Sequence, residues 1–381
     1  MQVDGDGTEQ MPQRQRVVDR LPTFPWDRLI PHKQVAAEHP DGIVDLSVGT
    51  PVDPVPEGLR AALAAAADAP GYPTTHGPRE VRESIAGWLA RRRGVEIDPD
   101  AVLPTVGSKE LVAWLPTLLG LGPGDTVVHP ELAYPTYDIG ARVAGATPMA
   151  ADGLTRLGPA PVGLAWLNSP ANPTGRVLPP EHLRKVVDWA RERGTVLASD
   201  ECYIELDWEG TPPVSILHPE VCGGSHEGLL AVHSLSKRSN LAGYRAAFVA
   251  GDPALIQELL AVRKHTGMIV PAPVQAVLRA ACDDDAHAEE QKRRYARRRT
   301  LLRDALHRAG WRITHSEAGL YLWADHPDHD AWTAVARLAQ LGILVAPGDF
   351  YGPGGAAHVR ISLTATDERV AAAARRLTAE P

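Results

Sequence analysis

From Ile43 onward, short runs of consecutive apolar residues alternate with stretches of helical spacing. Strands are predicted at Val102 to Val106, Thr126 to His129, Gly163 to Leu167, Thr195 to Ser199, Leu229 to His233 and Ala246 to Ala250. These runs are apolar on successive positions rather than alternate ones, which predicts a sheet buried on both faces. Between them, Glu110 to Leu119, Glu181 to Arg193 and Pro253 to Lys264 read as helices. Strand and helix in turn predict an α/β fold with a mostly parallel sheet covered on both sides.

After about Pro271 the rhythm changes. A long charged helix is expected over about 284 to 309, closed by Gly310. Short strands then follow at Leu320 to Trp323, Gly342 to Val345 and His358 to Leu363, with a helix at Trp332 to Leu341. The expected division is a disordered leader over 1–20, an arm and part of the small domain over 21–48, a large domain over 49–270 and a small α+β domain over 271–381. In the arm, Phe24 and Trp26 lie between prolines and are expected to dock on a neighbouring surface. No internal repeat is visible, and the one biased tract is an alanine-rich helix near Ala61 to Ala67.

Composition narrows the function classes. The net charge of -8 gives no global basic field to hold nucleic acid. The basic run Arg293 to Arg299 follows a cluster of acids, so it reads as the solvated back of one helix. Three widely spaced cysteines suggest neither a disulfide framework nor a zinc motif, which suits the cytoplasm. The histidines lack ligand spacing, so no metal is expected. No run has the length for a membrane span, and none resembles a signal peptide.

Four strings carry candidate chemistry, each at a predicted strand end. SLSKRSNLAGYR places Lys237 just past a buried strand, where open α/β sheets hold their ligands. An amine there is costly unless neutral, bonded or used covalently, and a Schiff base with an aldehyde meets that condition. Ser234, Ser236 and Arg245 add the hydroxyls and fixed cation that suit a phosphate. A surface Ser/Lys/Arg loop is the plain alternative. In NSPANPTG, Pro170 and Pro173 stiffen a turn from which Asn172 can bond an aromatic hydroxyl, although a simple proline turn explains the string as well. SDECY sets Asp200 where it can keep a pyridine nitrogen protonated, with Tyr203 beside the same ring; Asp200 could equally cap a helix. In VGSKE, Ser108 is expected as an N-cap, and the Gly107, Ser108 and Lys109 amides open a helix suited to phosphate.

Together these strings resemble the class I and II aminotransferases, the fold-type I enzymes dependent on pyridoxal 5'-phosphate, over residues 21 to 380. LSVGTPVDPVP, GSKELVAWLPT, LAYPTY, SDECYIEL, HSLSKRSNLAGYRAAF and APGDFYGP resemble, more narrowly, N-succinyldiaminopimelate aminotransferases of actinobacterial type. The resemblance implies a large domain with a mostly parallel sheet, a smaller α+β domain, and Lys237 as cofactor anchor and proton carrier. It implies that Tyr134 stacks on the cofactor and that Tyr72 reaches the phosphate of the neighbouring subunit, hence a homodimer with shared sites. It further implies that Gly49 lies against the substrate and that Arg360 clamps its α-carboxylate. From the residues alone, Tyr134 and Tyr72 also fit packing or turn positions, and Gly49 fits a turn. Arg360 sits in an apolar strand and calls for a carboxylate partner, whether substrate or a structural acid.

The implied reaction is amino transfer between N-succinyl-LL-2,6-diaminopimelate and 2-oxoglutarate, in lysine biosynthesis. Rival readings are an aminotransferase for another amino acid, a β-lyase or decarboxylase on the same fold, and a ligand sensor joined to a DNA-binding module. The sensor would need a winged-helix domain before residue 40, where the chain is short and polar.

Overall fold

The consecutive apolar runs become strands. The structure, a computed structural model, describes residues 16–208 and 212–379. A short strand Val44–Asp45 (β1) comes first. The main strands are Val102–Val106 (β2), Thr126–His129 (β3), Thr147–Ala150 (β4), Leu164–Asn168 (β5), Val196–Asp200 (β6), Leu229–Ser234 (β7) and Ala246–Gly251 (β8). Among the described residues these form one seven-stranded sheet in the order β2-β8-β7-β6-β5-β3-β4. Only β8 runs against its neighbours, β2 and β7.

Successive residues of each strand feed opposite cores. Leu229 and Ala231 pack on one face with the helices Arg79–Arg93, Pro180–Arg193 and Ala272–Asp283. Leu230 and Val232 pack on the other with Ser108–Leu118, Thr136–Ala144 and Pro253–Thr266. Burial on both faces is why these runs carry no polar alternation. Strand β4 is the exception, because it lies at the sheet edge with Thr147 and Ala150 exposed.

The smaller lobe holds an antiparallel sheet of Arg312–Ile313 (β9), Tyr321–Asp325 (β10), Ala346–Pro347 (β12) and His358–Ser362 (β13). Strand Ile343–Leu344 (β11) pairs instead with β1, in parallel. The helices Ala286–Arg308, Ala331–Gln340 and Asp367–Ala379 close its core.

Several expectations change. Residues 1–15 of the expected leader lie outside the described residues, while Val17–Arg20 forms a turn of 3-10 helix rather than disordered chain. Trp26 docks on this chain's own Phe350, with ring centroids 5.1 Å apart, while Phe24 is exposed. The helix Ala272–Asp283, expected in the small lobe, packs Val277, Leu278 and Ala281 into the core of the large sheet. The basic run is not all solvated: Arg298 and Arg299 are buried, and Arg298 bonds Asp53 at 2.6 and 2.8 Å. Among the described residues, no helix is long and apolar enough to cross a membrane.

Candidate active site

The carboxyl ends of β2, β5, β6 and β7 lie along one edge of the large sheet. Asn168 sits opposite Asp200, and Asp200 opposite Val232. The reversed strand β8 begins at that edge, with Ala246 opposite Val106 and Ala247 opposite Ser234. Its reversal therefore brings Arg245, the residue before it, among the carboxyl ends of its neighbours.

Lys237 stands in a one-turn helix, Leu235–Arg238, directly after β7. Ser234 caps that turn: its Oγ accepts from the Ser236 amide at 3.2 Å and donates to Ser236 Oγ at 3.0 Å. The Tyr295 hydroxyl donates to the Lys237 carbonyl at 3.3 Å, fixing the turn from the long helix. Lys237 Nζ donates to the Gly49 carbonyl. Burial holds the Lys237 amine below the usual lysine range; Tyr321 opposes the shift, and the Arg360 and Arg245 cations add to it. More of this amine is neutral near pH 7 than is usual for lysine.

The residues expected to cradle a phosphate lie closer together than the sequence indicated. Gly107 has φ 75° and ψ 156°, a conformation natural to glycine. A Cβ there would strike the Arg245 guanidinium, with Cζ 2.6 Å away. Arg245 itself has φ 57°, and its Nη1 donates to the Ala242 carbonyl at 2.8 Å. Gly107, not Ser108, takes the N-cap position and makes no side-chain cap bond. Ser108 is the first helical residue. Lys109 is exposed, so of the expected phosphate contacts it offers the amide rather than a buried ammonium.

Asn172, in the turn beyond β5, and Asp200, the last residue of β6, are both buried. Asn168 ties them together: its Oδ1 accepts from the Asn172 amide at 2.7 Å, and its Nδ2 donates to the Asp200 carbonyl at 2.9 Å. Asp200 accepts from the Tyr137 hydroxyl at 2.8 Å and the Cys202 amide at 3.1 Å. Neither bond is the cap of a long helix. Burial pushes the Asp200 carboxyl up, against both donors. An ionised Asp200 in this position gains from a cation, and a protonated pyridine nitrogen is one. Tyr134 lies edge-on to Tyr137, with centroids 5.9 Å apart, and burial pushes its hydroxyl up to about 12. Tyr203 bonds the Tyr321 hydroxyl at 3.2 Å.

Arg360 reaches this group from β13. Its Nη1 donates to Asn172 Oδ1 at 3.0 Å and its Nη2 to the Ser47 carbonyl at 2.8 Å. Its Nε is buried and unpartnered, and among the described residues no acid pairs with it. The guanidinium lies between two rings, 3.8 Å from the centroid of Tyr321 and 4.8 Å from that of Tyr351. The structural acid that could have paired with Arg360 is not found among the described residues. Tyr72 is fully exposed and stands apart from this cluster within the chain.

These residues fit pyridoxal phosphate: a buried amine, a glycine and arginine cradle, a buried acid with donors of its own, and hydroxyls nearby. The sequence reading missed Tyr137, Tyr321 and Tyr351. Tyr137 was findable, since LAYPTY repeats its tyrosine at helical spacing from Tyr134; Tyr321 lies in an apolar strand that gives no sign of a polar role.

Similarity to known proteins points the same way. Residues 41–377 match the family described as aminotransferase class I and II. The chain is 62% identical, over 94% of its length and 99% of the relative's, to the 4-dedimethylamino-4-oxo-anhydrotetracycline transaminase OxyQ of Streptomyces rimosus. It is 34% identical, over 94% of its length and 96% of the relative's, to an LL-diaminopimelate aminotransferase of Desulforudis audaxviator. It also superposes on an aminotransferase from Neisseria meningitidis Z2491 with a TM-score of 0.87, at 31% identity over 95% of this chain and 98% of that one. The chain belongs to the class I and II aminotransferases, a family that works with pyridoxal 5'-phosphate.

Proposed function

We propose that this aminotransferase moves an amino group from N-succinyl-LL-2,6-diaminopimelate to 2-oxoglutarate, giving N-succinyl-2-amino-6-oxopimelate and glutamate. Bound pyridoxal phosphate supplies an aldehyde for amines and a ring that withdraws electrons. Lys237 provides the amine for its attachment and, once released, would take a proton from the substrate α-carbon and deliver it to the cofactor carbon that had carried the aldehyde. Its lowered proton affinity suits that exchange near neutral pH. Asp200 holds positive charge on the ring nitrogen, with Tyr137 and the Cys202 amide steadying its anion. Asn172 and Tyr203 orient the ring hydroxyl, and Tyr134 stacks on the ring. The start of the Ser108 helix, with Ser234, Ser236 and Arg245, takes the phosphate.

The observation that carries the substrate reading is Arg360. It is a buried cation with no acidic partner among the described residues, bonded to Asn172 beside the cofactor site. An α-carboxylate, common to amino donor and 2-oxo acceptor, meets that need in planar fashion. The quoted strings and the LL-diaminopimelate relative support a donor of the diaminopimelate class. The fully exposed Tyr72 supports a homodimer in which each subunit reaches the other's phosphate, and the overall composition suits the cytoplasm.

A second reading, carried by 62% identity to OxyQ, is transfer to a polycyclic oxo acceptor. The two separate in one assay. The holoenzyme is given 2-oxoglutarate with N-succinyl-LL-diaminopimelate, LL-diaminopimelate or other donors, and separately a 4-oxo-anhydrotetracycline with glutamate; the donor or acceptor turned over fastest decides. Ammonia release without a 2-oxo acid would favour a β-lyase. Lys237→Ala should abolish both borohydride trapping of the cofactor and amino transfer, and survival of either removes Lys237 from its role.

A further inference from the structure

Tyr321 has no part in the roles assigned so far, yet it touches three residues that do, Tyr203, Arg360 and Gly49. It projects from β10 as the diagonal neighbour of Arg360, since Trp323 is opposite Arg360 and Tyr321 opposite Ser362. Its ring supports the Arg360 guanidinium at 3.8 Å, and its hydroxyl bonds Tyr203 at 3.2 Å across the two lobes. A Cβ on Gly49 would overlap its hydroxyl and come within 2.8 Å of its Cζ. Gly49 thus lacks a side chain where Tyr321 needs the space, and the Gly49 carbonyl receives Lys237. The titratable and charged groups facing Tyr321 are Tyr203 and Cys202 after β6, Lys237 after β7, Arg360 on β13, Tyr134 before the helix Thr136–Ala144, Tyr295 on the long helix and Tyr351 after β12.

We propose that Tyr321 is a positioning residue with two faces, its hydroxyl orienting Tyr203 toward the cofactor ring oxygen and its ring orienting Arg360 toward the substrate carboxylate. This rests on the cofactor and carboxylate roles proposed above. Burial raises the Tyr203 hydroxyl well above its usual range. Burial also pushes the Tyr321 hydroxyl up, but the Arg360 and Lys237 cations bring it below its ordinary value. With the ring oxygen present, Tyr203 donates to that oxygen, and its own oxygen accepts from Tyr321. A donor behind Tyr203 strengthens its bond to a negative ring oxygen. That favours the unprotonated form of the Lys237 linkage, so losing the donor raises the pH at which the linkage titrates.

Two variants of the cofactor-loaded enzyme separate the faces. Tyr321→Phe keeps the ring, and should raise the pH midpoint of the bound cofactor's visible absorbance by roughly half a unit. Its KM for 2-oxoglutarate should stay within about twofold, because the guanidinium keeps its platform. Tyr321→Leu removes the platform and should raise that KM roughly tenfold. An unshifted midpoint in the Phe variant, or an unchanged KM in the Leu variant, overturns the proposal. A wild-type protein that takes no colour with pyridoxal phosphate sinks the cofactor reading along with it; a coloured wild type with unmoved variants sinks the role of Tyr321 alone.

Discussion

Asp53→Asn is expected to loosen the joint between the loop at 50–56 and the long helix Ala286–Arg308. Asp53 accepts two bonds from Arg298, at 2.6 and 2.8 Å, and one from Gln291 at 2.8 Å. Gln291 in turn accepts from Asn240 at 2.9 Å, in the stretch that follows Lys237. Removing one member of a buried ion pair costs about 3–5 kcal/mol, mostly because the other charge stays buried alone. Arg298 would keep Asp367 at 2.6 Å, and an asparagine oxygen would keep one acceptor, so about 2 kcal/mol is the expected loss. That corresponds to a Tm lower by roughly 2–3 °C, read by calorimetry on the cofactor-loaded enzyme.

The pH dependence follows from the direction of the shift. Burial alone would raise the Asp53 carboxyl, but bonds from Arg298 and Gln291 hold it below the ordinary carboxylate range. A lowered native pKa gives stability that is complete above the unfolded value of about 3.9 and lost as pH falls through the native one. The Tm gap between wild type and variant should hold constant down to about pH 5 and close below about pH 4. A gap smaller than about 0.5 kcal/mol at neutral pH, or one that persists unchanged in acid, would refute the reasoning.

Two further outcomes test the cradle and the buried acid. Gly107→Ala puts a side chain into a backbone region that costs about 1–3 kcal/mol and against the Arg245 guanidinium, so apoenzyme titrated with pyridoxal phosphate should bind it at least about tenfold more weakly; unchanged affinity would count against the cradle. Tyr137→Phe removes a donor to the Asp200 carboxylate, favouring its neutral form, and should move the acid limb of the pH-rate profile upward by about one unit. An acid limb that stays in place would separate Tyr137 from the chemistry.

Burial explains which parts of this molecule could be read from its sequence. Strands β5, β6 and β7 were legible because both faces are covered and nearly every position is apolar. Strand β4 was not, because an exposed edge containing Pro148 has the composition of a loop. The reversal of β8 was equally hidden, since an apolar run reads the same in either direction. Lys237, Asp200, Asn172 and Arg360 stood out as polar residues at the ends of, or within, apolar strands. Tyr321 did not, because LYLW looks like core and only the fold brings its hydroxyl to Tyr203. Arg298 and Arg299 misled in the opposite sense: a dense basic run suggests solvent, and their burial depends on Asp53 and Ser316, remote in sequence.

The helix Ala286–Arg308 is rooted in the large sheet's lobe at one end and in the small lobe's core at the other. Near its start, Arg91 and Arg92 grip Asp285 and Glu289, while Leu302 and Leu306 lie among the residues around β10. Its 23 residues make a rod about 35 Å long. A tilt of about 5° at the rooted end would swing the far end by about 3 Å, comparable to the span of one hydrogen bond. Such a tilt would carry Leu306, and the core around β10 into which it packs, by a comparable distance relative to the turn that holds Lys237.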